Sequence, residues 1–317
     1  MDILDKLIAL AQIRGAINVK CQFKNDWFVH HSKKESRGIA HLVVAGSGYV
    51  KVKEMVLQIT RGDILFFPYA DEHILSSCRL CDNQHDVVQS EEYGEFVFKV
   101  QGPPSLLSLS AQNPNQIHLF CANFFYDSSA ELIANLPSII HVRPDAAQLE
   151  PLIYLLENET KHFALGSAGV INSLSQMLLV LILREFLSDK TNLADSSLFK
   201  GWYDVRLRTL IEQILLEPEK VWSIEVMCQQ SHLSRAQFMR LFKQQIGRSP
   251  HAFVHKIRLQ KAAMLLKQTS HSVLTISLSC GFLSETHFGK AFKRQYGVTP
   301  SEYRKSEPHQ TIDGISQ

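Results

Sequence analysis

The sequence predicts an α+β chain: a β-barrel first, helices behind it, and a last third that is wholly α-helical. Three observations predict it. Residues 17–125 carry short strand-like runs punctuated by Gly, Pro and Asp. Residues 144–188 carry apolar side chains at helical spacing. Residues 234–250 recur, without a gap, fifty positions later at 284–300.

The elements follow in chain order. Ile3, Leu4, Leu7, Ile8 and Leu10 predict a first amphipathic helix. The strand-like runs are INVKCQF, WFVHH, IAHLVVAGSGYVKV, VLQIT, GDILFFP, EFVFKV and IHLFCANFFY. Regular short strands of this kind close into a sandwich or barrel. Gly46, Ser47 and Gly48 interrupt the third run, and Gly62-Asp63 turns into a buried strand that Pro68 ends, with His73 beyond. Pro144 opens one amphipathic helix through Leu149, Leu152, Ile153 and Leu156. A second runs through Leu174, Leu178, Leu181 and Phe186. Its stretch from Met177 to Leu183 is apolar all round, which suits a buried helix or a dimer interface. Residues 188–201 are polar and short and read as a linker.

The repeat is the most specific feature. SRAQFMRLFKQQIGRSP and SETHFGKAFKRQYGVTP share seven of seventeen positions. In each, Ser is an N-cap, Phe238/Phe242 and Phe288/Phe292 make one apolar stripe, and Gly247 or Gly297 stands where a helix ends in the left-handed region. A short helix precedes each copy, Trp222–Gln230 and Val273–Cys280, joined to it by a tight turn. Helix, short turn, helix is the plan that places its second helix in the major groove of DNA. Charge agrees. The net charge is only +2, but residues 201–305 hold 16 Lys and Arg against 7 Asp and Glu, while the remainder is acidic. A basic third on an acidic body is the footprint of a nucleic-acid-binding module attached to something else.

The paired motifs, with RLQKAAMLL between them and GVTPSEYR at the close, resemble the AraC/XylS DNA-binding domain. The resemblance implies that Pro250–Gln268 is a linker helix and that the two recognition helices read successive major grooves. The Gly62-to-His73 stretch is similar to the second cupin motif, and residues 121–143 resemble the segment after the barrel in the cupin-bearing branch of that family. The expected organisation is a cupin-like sensor at 1–143, a helical connector with a dimerisation role and linker at 144–200, the tandem helix-turn-helix domain at 201–305 and a disordered tail at 306–317.

The faces opposite the Phe stripes give the base-edge candidates: Arg235, Ala236, Met239 and Arg240, then Glu285, Thr286, Gly289 and Lys290. Lys243, Lys293 and Arg294 fall where phosphates are contacted. Six cysteines in a reducing compartment point to redox or metal chemistry rather than a disulfide framework. Cys78 and Cys81, flanked by His73 and His85, leave three readings open: a zinc site, a thiol switch or a plain surface loop. Cys21, after GAINVK, and Cys121, within LFCANFF, read as buried core residues. By resemblance they match cysteines of a redox-responsive member of the family. Cys228 and Cys280 read as packing residues. The chain lacks the His-x-His of metal-binding cupins, His30 and His31 point to opposite faces of a strand, and His41 is isolated in sequence, so no metal site is expected from these. The longest apolar run is too short to span a bilayer and no secretory signal is visible, which predicts a cytoplasmic protein.

The expected function is therefore a sequence-specific transcription regulator, an activator by resemblance, with promoter DNA and RNA polymerase as partners, no cofactor and no enzymatic activity. Its signal is an oxidant acting on thiols or, alternatively, a metabolite bound in the barrel with inert cysteines. A metal-dependent cupin enzyme with a DNA-binding tail is the remaining alternative.

Overall fold

A computed structural model describes residues 2–24, 27–33, 37–79, 89–93, 96–100, 116–162, 164–189 and 197–306. They fall into two compact units: Arg14–Tyr126 with Leu136–Asn192, and Met1–Ile13 with Asp127–Asn135 and Leu193–Gln317. This division departs from the expected segments in three places, one of them the end of the expected 144–200 connector, since the helical unit begins at Leu193 and α5 at Ser197. The N-terminal helix and residues 127–135 fall within the helical unit rather than with the strands.

The first unit holds β1 (Arg14–Phe23), β2 (Phe28–His31), β3 (Arg37–Val52), β4 (Met55–Thr60), β5 (Ile64–Phe67), β6 (His73–Ser76), β7 (Gln89–Tyr93), β8 (Phe96–Val100), β9 (Ile117–Phe125) and β10 (Ile140–Val142). Hydrogen bonding runs β10-β5-β3-β9-β1-β8-β7, with β4 and β6 also on β3 and β2 on β6. Every pairing is antiparallel except β1 with β8. The sixteen-residue β3 serves two sheets: residues 37–46 pair with β9 and residues 47–52 with β4. Gly46 makes the corner. Its φ is +79°, and a Cβ there would lie 1.7 Å from the Gln116 carbonyl oxygen, so only glycine fits. Inside sit Phe23, Trp27, Val43, Val50, Leu65, Phe67 and Leu119, together with Cys21 and Cys121.

Two helices complete this unit, α3 (Ala146–Lys161) and α4 (Ser167–Ser188). The 22 residues of α4 are long and apolar enough to cross a membrane by length and composition, although the uninterrupted apolar run is short. Leu178, Leu179, Ile182 and Leu183 of α4 are buried, and the helix packs on β1, β10 and α3, as a core helix does.

The second unit is all helix: α1 (Ile3–Leu10), α2 (Glu131–Ala134), α5 (Ser197–Tyr203), α6 (Arg208–Leu216), α7 (Ile224–Ser231), α8 (Arg235–Ile246), α9 (Pro250–Gln268), α10 (Val273–Ser279), α11 (Glu285–Tyr296) and α12 (Pro300–Lys305). The expected caps form. Ser223 Oγ accepts from Val226 N, Ser234 closes a capping box with Gln237, and Ser284 Oγ accepts from His287 N. Gly247 and Gly297 end α8 and α11 at φ +76° and +77°. The linker helix α9 spans the residues that the resemblance implied. The expected tail beyond Ser306 lies outside the described residues.

The segment Asp127–Asn135 is bonded into this helical unit throughout. Tyr296 Oη donates to Asp127 Oδ2 at 3.0 Å, Gln260 Nε2 to the Ser129 carbonyl at 3.3 Å, and Ser197 Oγ to Asn135 Oδ1 at 2.7 Å. At its centre Glu131, only 1% exposed, receives Lys256 Nζ at 2.7 Å and Arg248 Nη1 at 2.8 Å. A carboxylate this deeply buried is tolerable because two cations and Asn135 Nδ2 face it.

Candidate functional site

Each helix-turn-helix unit buries one stripe and exposes another. On α8, Phe238, Phe242 and Ile246 are buried while Arg235, Ala236, Met239, Arg240 and Lys243 are exposed. On α11, Phe288, Ala291 and Phe292 are buried while Glu285, Thr286, Lys290, Lys293 and Arg294 are exposed. Gly289, half-buried, has open space where a Cβ would stand. All eleven residues thus lie on the free side of their helices, the side that could enter a groove. Arg240 further shares a shallow groove with Gln237, Gln244 and Arg206, the last of which sequence reasoning did not single out.

A single side chain ties the two motifs together. Arg258, on α9, donates from Nε to the Pro218 carbonyl at 2.7 Å, from Nη2 to the Lys220 carbonyl at 2.8 Å and from Nη1 to the Gly281 carbonyl at 2.9 Å. The first two carbonyls lead into α7 and the third lies in the turn after α10. The planar guanidinium holds both in one plane, which a lysine could not do. Gly281 has φ +82°, and a Cβ there would press on Glu219 and Arg258, so the close approach requires glycine. Nothing in the residue spacing flags Arg258, because its three acceptors are backbone atoms.

The barrel gathers a second constellation that sequence reasoning missed. His31 from β2, His41 from β3 and His73 from β6 bring one ring nitrogen each within 4.8 Å of one another. His41 Nε2 lies 2.8 Å from His73 Nε2, and His41 Nδ1 lies 3.0 Å from Cys121 Sγ. His73 stacks on Phe67 with ring centroids 3.8 Å apart and on His31 at 4.7 Å. Its Nδ1 donates to the Asp71 carbonyl at 2.7 Å. Burial pushes the His73 imidazole down to about 4, so it is neutral near pH 7. His30 and His31 do point to opposite faces: His30 turns outward to Glu72 at 2.7 Å. His41, isolated in sequence, is not isolated in space: it pairs with Leu65 and Cys121 in one sheet and meets His73 of the other sheet through the barrel interior.

The cysteines divide. Cys21 and Cys121 are buried, and neither is in a disulfide. Val19 pairs with Cys121 and Cys21 with Leu119, so the two cysteines are diagonal neighbours on one inward face of β1 and β9. Cys78 is disulfide-bonded. Cys81 and His85 lie outside the described residues, and with them the expected loop grouping. Cys280 packs in the core around Phe288 and Phe292, where burial pushes its thiol up to about 11, and Cys228 is half-buried.

A tandem helix-turn-helix behind a cupin-type barrel defines a class, and comparison with known proteins gives the same one. Residues 2–188 match the cupin family model and residues 227–306 a helix-turn-helix domain model. The chain belongs to the AraC family of transcription regulators, in the branch with an N-terminal cupin domain. It is 42% identical to the HTH-type transcriptional regulator MtrA of Neisseria gonorrhoeae over 96% of this chain and 98% of that one. It is 26% identical to the RCS-specific HTH-type transcriptional activator RclR of Escherichia coli K12 over 96% and 98%. Among solved structures, an AraC-type regulator from Chromobacterium violaceum is 34% identical, covering 31% of this chain and 88% of its own, with a TM-score of 0.30.

Proposed function

We propose that this regulator binds promoter DNA by setting α8 and α11 into successive major grooves. Arg235, Ala236, Met239 and Arg240, with Glu285, Thr286, Gly289 and Lys290, face base edges, and Lys243, Lys293 and Arg294 face phosphates. The observation that carries the reading is the doubled geometry: two capped helices expose equivalent faces, with Arg240 and Lys290 at the same place in each, on a core tied by Arg258. Binding to the chain's own promoter region tests it. Arg240→Ala is expected to weaken specific binding about 5- to 150-fold and to relax the sequence preference, the worth of one bidentate contact to guanine. Lys243→Ala is expected to weaken all sequences alike and to lower the salt-dependence slope by about one. Equal losses on specific and random DNA for both variants would remove the assignment of Arg240 to base reading.

Activation, with RNA polymerase as the second partner, is the regulatory outcome this proposal adopts, and the activator name of RclR supports it. For the signal, the geometry favours oxidant sensing through Cys121 with Cys21 beside it, since a histidine nitrogen 3.0 Å from Cys121 Sγ can take the thiol proton. Hypochlorous acid would convert that thiol to a sulfenic acid and release hydrogen chloride. Promoter output in cells given hypochlorous acid, compared between wild type, Cys21→Ala and Cys121→Ala, decides it. Loss of response in a variant that still binds DNA supports the thiol reading. An undiminished response in both moves the signal to a ligand of the barrel.

A further inference from the structure

We infer that Arg206, in the turn between α5 and α6, is a further DNA contact: its guanidinium takes a backbone phosphate on the wall of the major groove opposite the one that Lys243 faces. This contact presupposes the proposed seating of α8 in that groove. Three observations carry it. The first is place. Arg206 lines one shallow groove with Gln237, Arg240, Leu241, Gln244 and Gln245 of α8. Its turn is held there by the close packing of α5 on α8, where a Cβ at Gly201 would lie 2.2 Å from Ile246 Cδ1. The second is charge. The exposed face of α8 has two flanks with Arg240 between them: by their three- and four-residue spacing, Ala236, Met239 and Lys243 lie along one, and Gln237, Leu241 and Gln244 along the other. A helix in a major groove has a phosphate wall on each flank. Lys243 supplies a cation to the first. The second row carries no charge of its own, and Arg206 stands beside it.

The third is the geometry of the guanidinium, fixed on one edge and open on the other. Nε donates to Asp204 Oδ1 at 2.9 Å and Nη2 to Asp204 Oδ2 at 2.6 Å, and the Arg206 backbone N–H also donates to Oδ1, at 3.0 Å. Asp204 is the buried partner, its side chain 9% exposed against 52% for Arg206. A guanidinium carries its N–H donors in a rigid plane, so spending the Nε edge on Asp204 leaves the far edge, Nη1 with the outer hydrogen of Nη2, for a second anion. That edge matches two oxygens of a phosphate, as an ammonium could not. Holding the near edge also lowers the ordering cost of the far one, since this long side chain is aimed before DNA arrives. Asp204 brings a negative charge to the same place, and its repulsion is separable from the contact by substitution.

The test uses the full chain, with duplexes of its own promoter region and of random sequence. Arg206→Ala is expected to weaken binding to both at least about eightfold at about 0.1 M salt, the worth of one phosphate contact, and to lower the slope of log affinity on log salt by about one. Asp204→Asn/Arg206→Ala, which removes the carboxylate charge as well, is expected to keep the lowered slope. Ethylation of the phosphate that Arg206 holds is expected to weaken wild type and to leave Arg206→Ala indifferent, and that phosphate lies on the strand opposite the one whose ethylation Lys243→Ala ignores. If Arg206→Ala does not fold by circular dichroism, Arg206→Gln replaces it with the same expectations. A folded variant with wild-type affinity and slope, a double variant restored to wild type, or both phosphates on one strand would overturn the assignment. Arg240→Ala and Lys243→Ala, measured beside it, separate the two ways of failing. If they behave as proposed while Arg206→Ala stays at wild type, only the Arg206 contact falls; if all three leave DNA binding unchanged, the seating of α8 falls with it.

Discussion

Glu131→Ala is expected to unfold the helical unit at a temperature about 10 °C lower than wild type. Glu131 is 1% exposed and faces two cations, Lys256 at 14% side-chain exposure and Arg248 at 34%. Removing the carboxylate strands the Lys256 ammonium in a buried position, and breaking a buried pair from one side costs about 3–5 kcal/mol. Arg248, one-third exposed, turns to water, so its share stays below about 1 kcal/mol. Asn135 loses one acceptor and keeps the Glu131 carbonyl, 2.7 Å from its Nδ2. The sum is about 3–6 kcal/mol, and about 2–4 °C per kcal/mol for a unit of this size brackets the stated shift. Glu131→Gln keeps one acceptor oxygen, turns the other into an amide donor and removes the charge, so it is expected to lose nearly as much. Thermal melts followed by circular dichroism at the helical band, which this unit dominates, provide the measurement. An alanine variant melting within about 2 °C of wild type would refute the reasoning and show that Lys256 and Arg248 lose nothing without Glu131.

Acid sensitivity of the barrel unit has two expected steps. Burial pushes the Asp63 carboxyl up, but hydrogen bonds from His141, Arg143 and the Thr60 amide outweigh it and hold the group down to about 2. Its contribution is complete above the ordinary carboxylate value and is lost as pH falls toward 2, about 2 kcal/mol in all. His118 is pushed down to about 4 by burial and by Lys20 beside it, so its neutral form adds stability above the ordinary imidazole value, lost as pH falls from 6.5 to about 4. Urea midpoints across this range should therefore fall in two stages; His73, also held down to about 4, shares the upper one, so His118→Gln should shrink it only in part, and an unchanged upper stage in that variant would reject His118 as a source. Gly46→Ala is expected to cost more than about 3 kcal/mol, because the added Cβ meets backbone rather than a flexible side chain. A urea midpoint near that of wild type would show that the β3 corner can relax.

What the sequence disclosed and what it withheld divide by the range of the interaction. The recognition helices were legible because caps, stripe and stop signal are all local: Ser234, Phe238, Phe242 and Gly247 lie within fourteen residues, and the second copy repeats them. The strand-like runs were legible for the same reason, since alternation and turn residues act on neighbours. The histidine cluster is a product of pairing. His31 faces His73 only because β2 pairs with β6 in the register that sets them opposite, and His41 joins because its part of β3 pairs with β5 and β9 in the other sheet, whose inner face meets that of β2 and β6. The only sequence signal was parity: of His30 and His31, one had to face inward, and asking what it would meet there leads to His41 and His73. Arg258 and Glu131 were hidden more deeply. Arg258 is recognised by three carbonyl oxygens, which carry no sequence identity. Glu131 sits in a segment that leaves β9, enters the helical unit and returns to β10, and no composition shift marks the departure. The strand carrying Cys121 continues directly into the residues that hold Tyr296 of the second recognition helix and Lys256 of the linker helix. The Glu131 variants, assayed for promoter response as well as melting, measure what the bonds of that segment contribute to output.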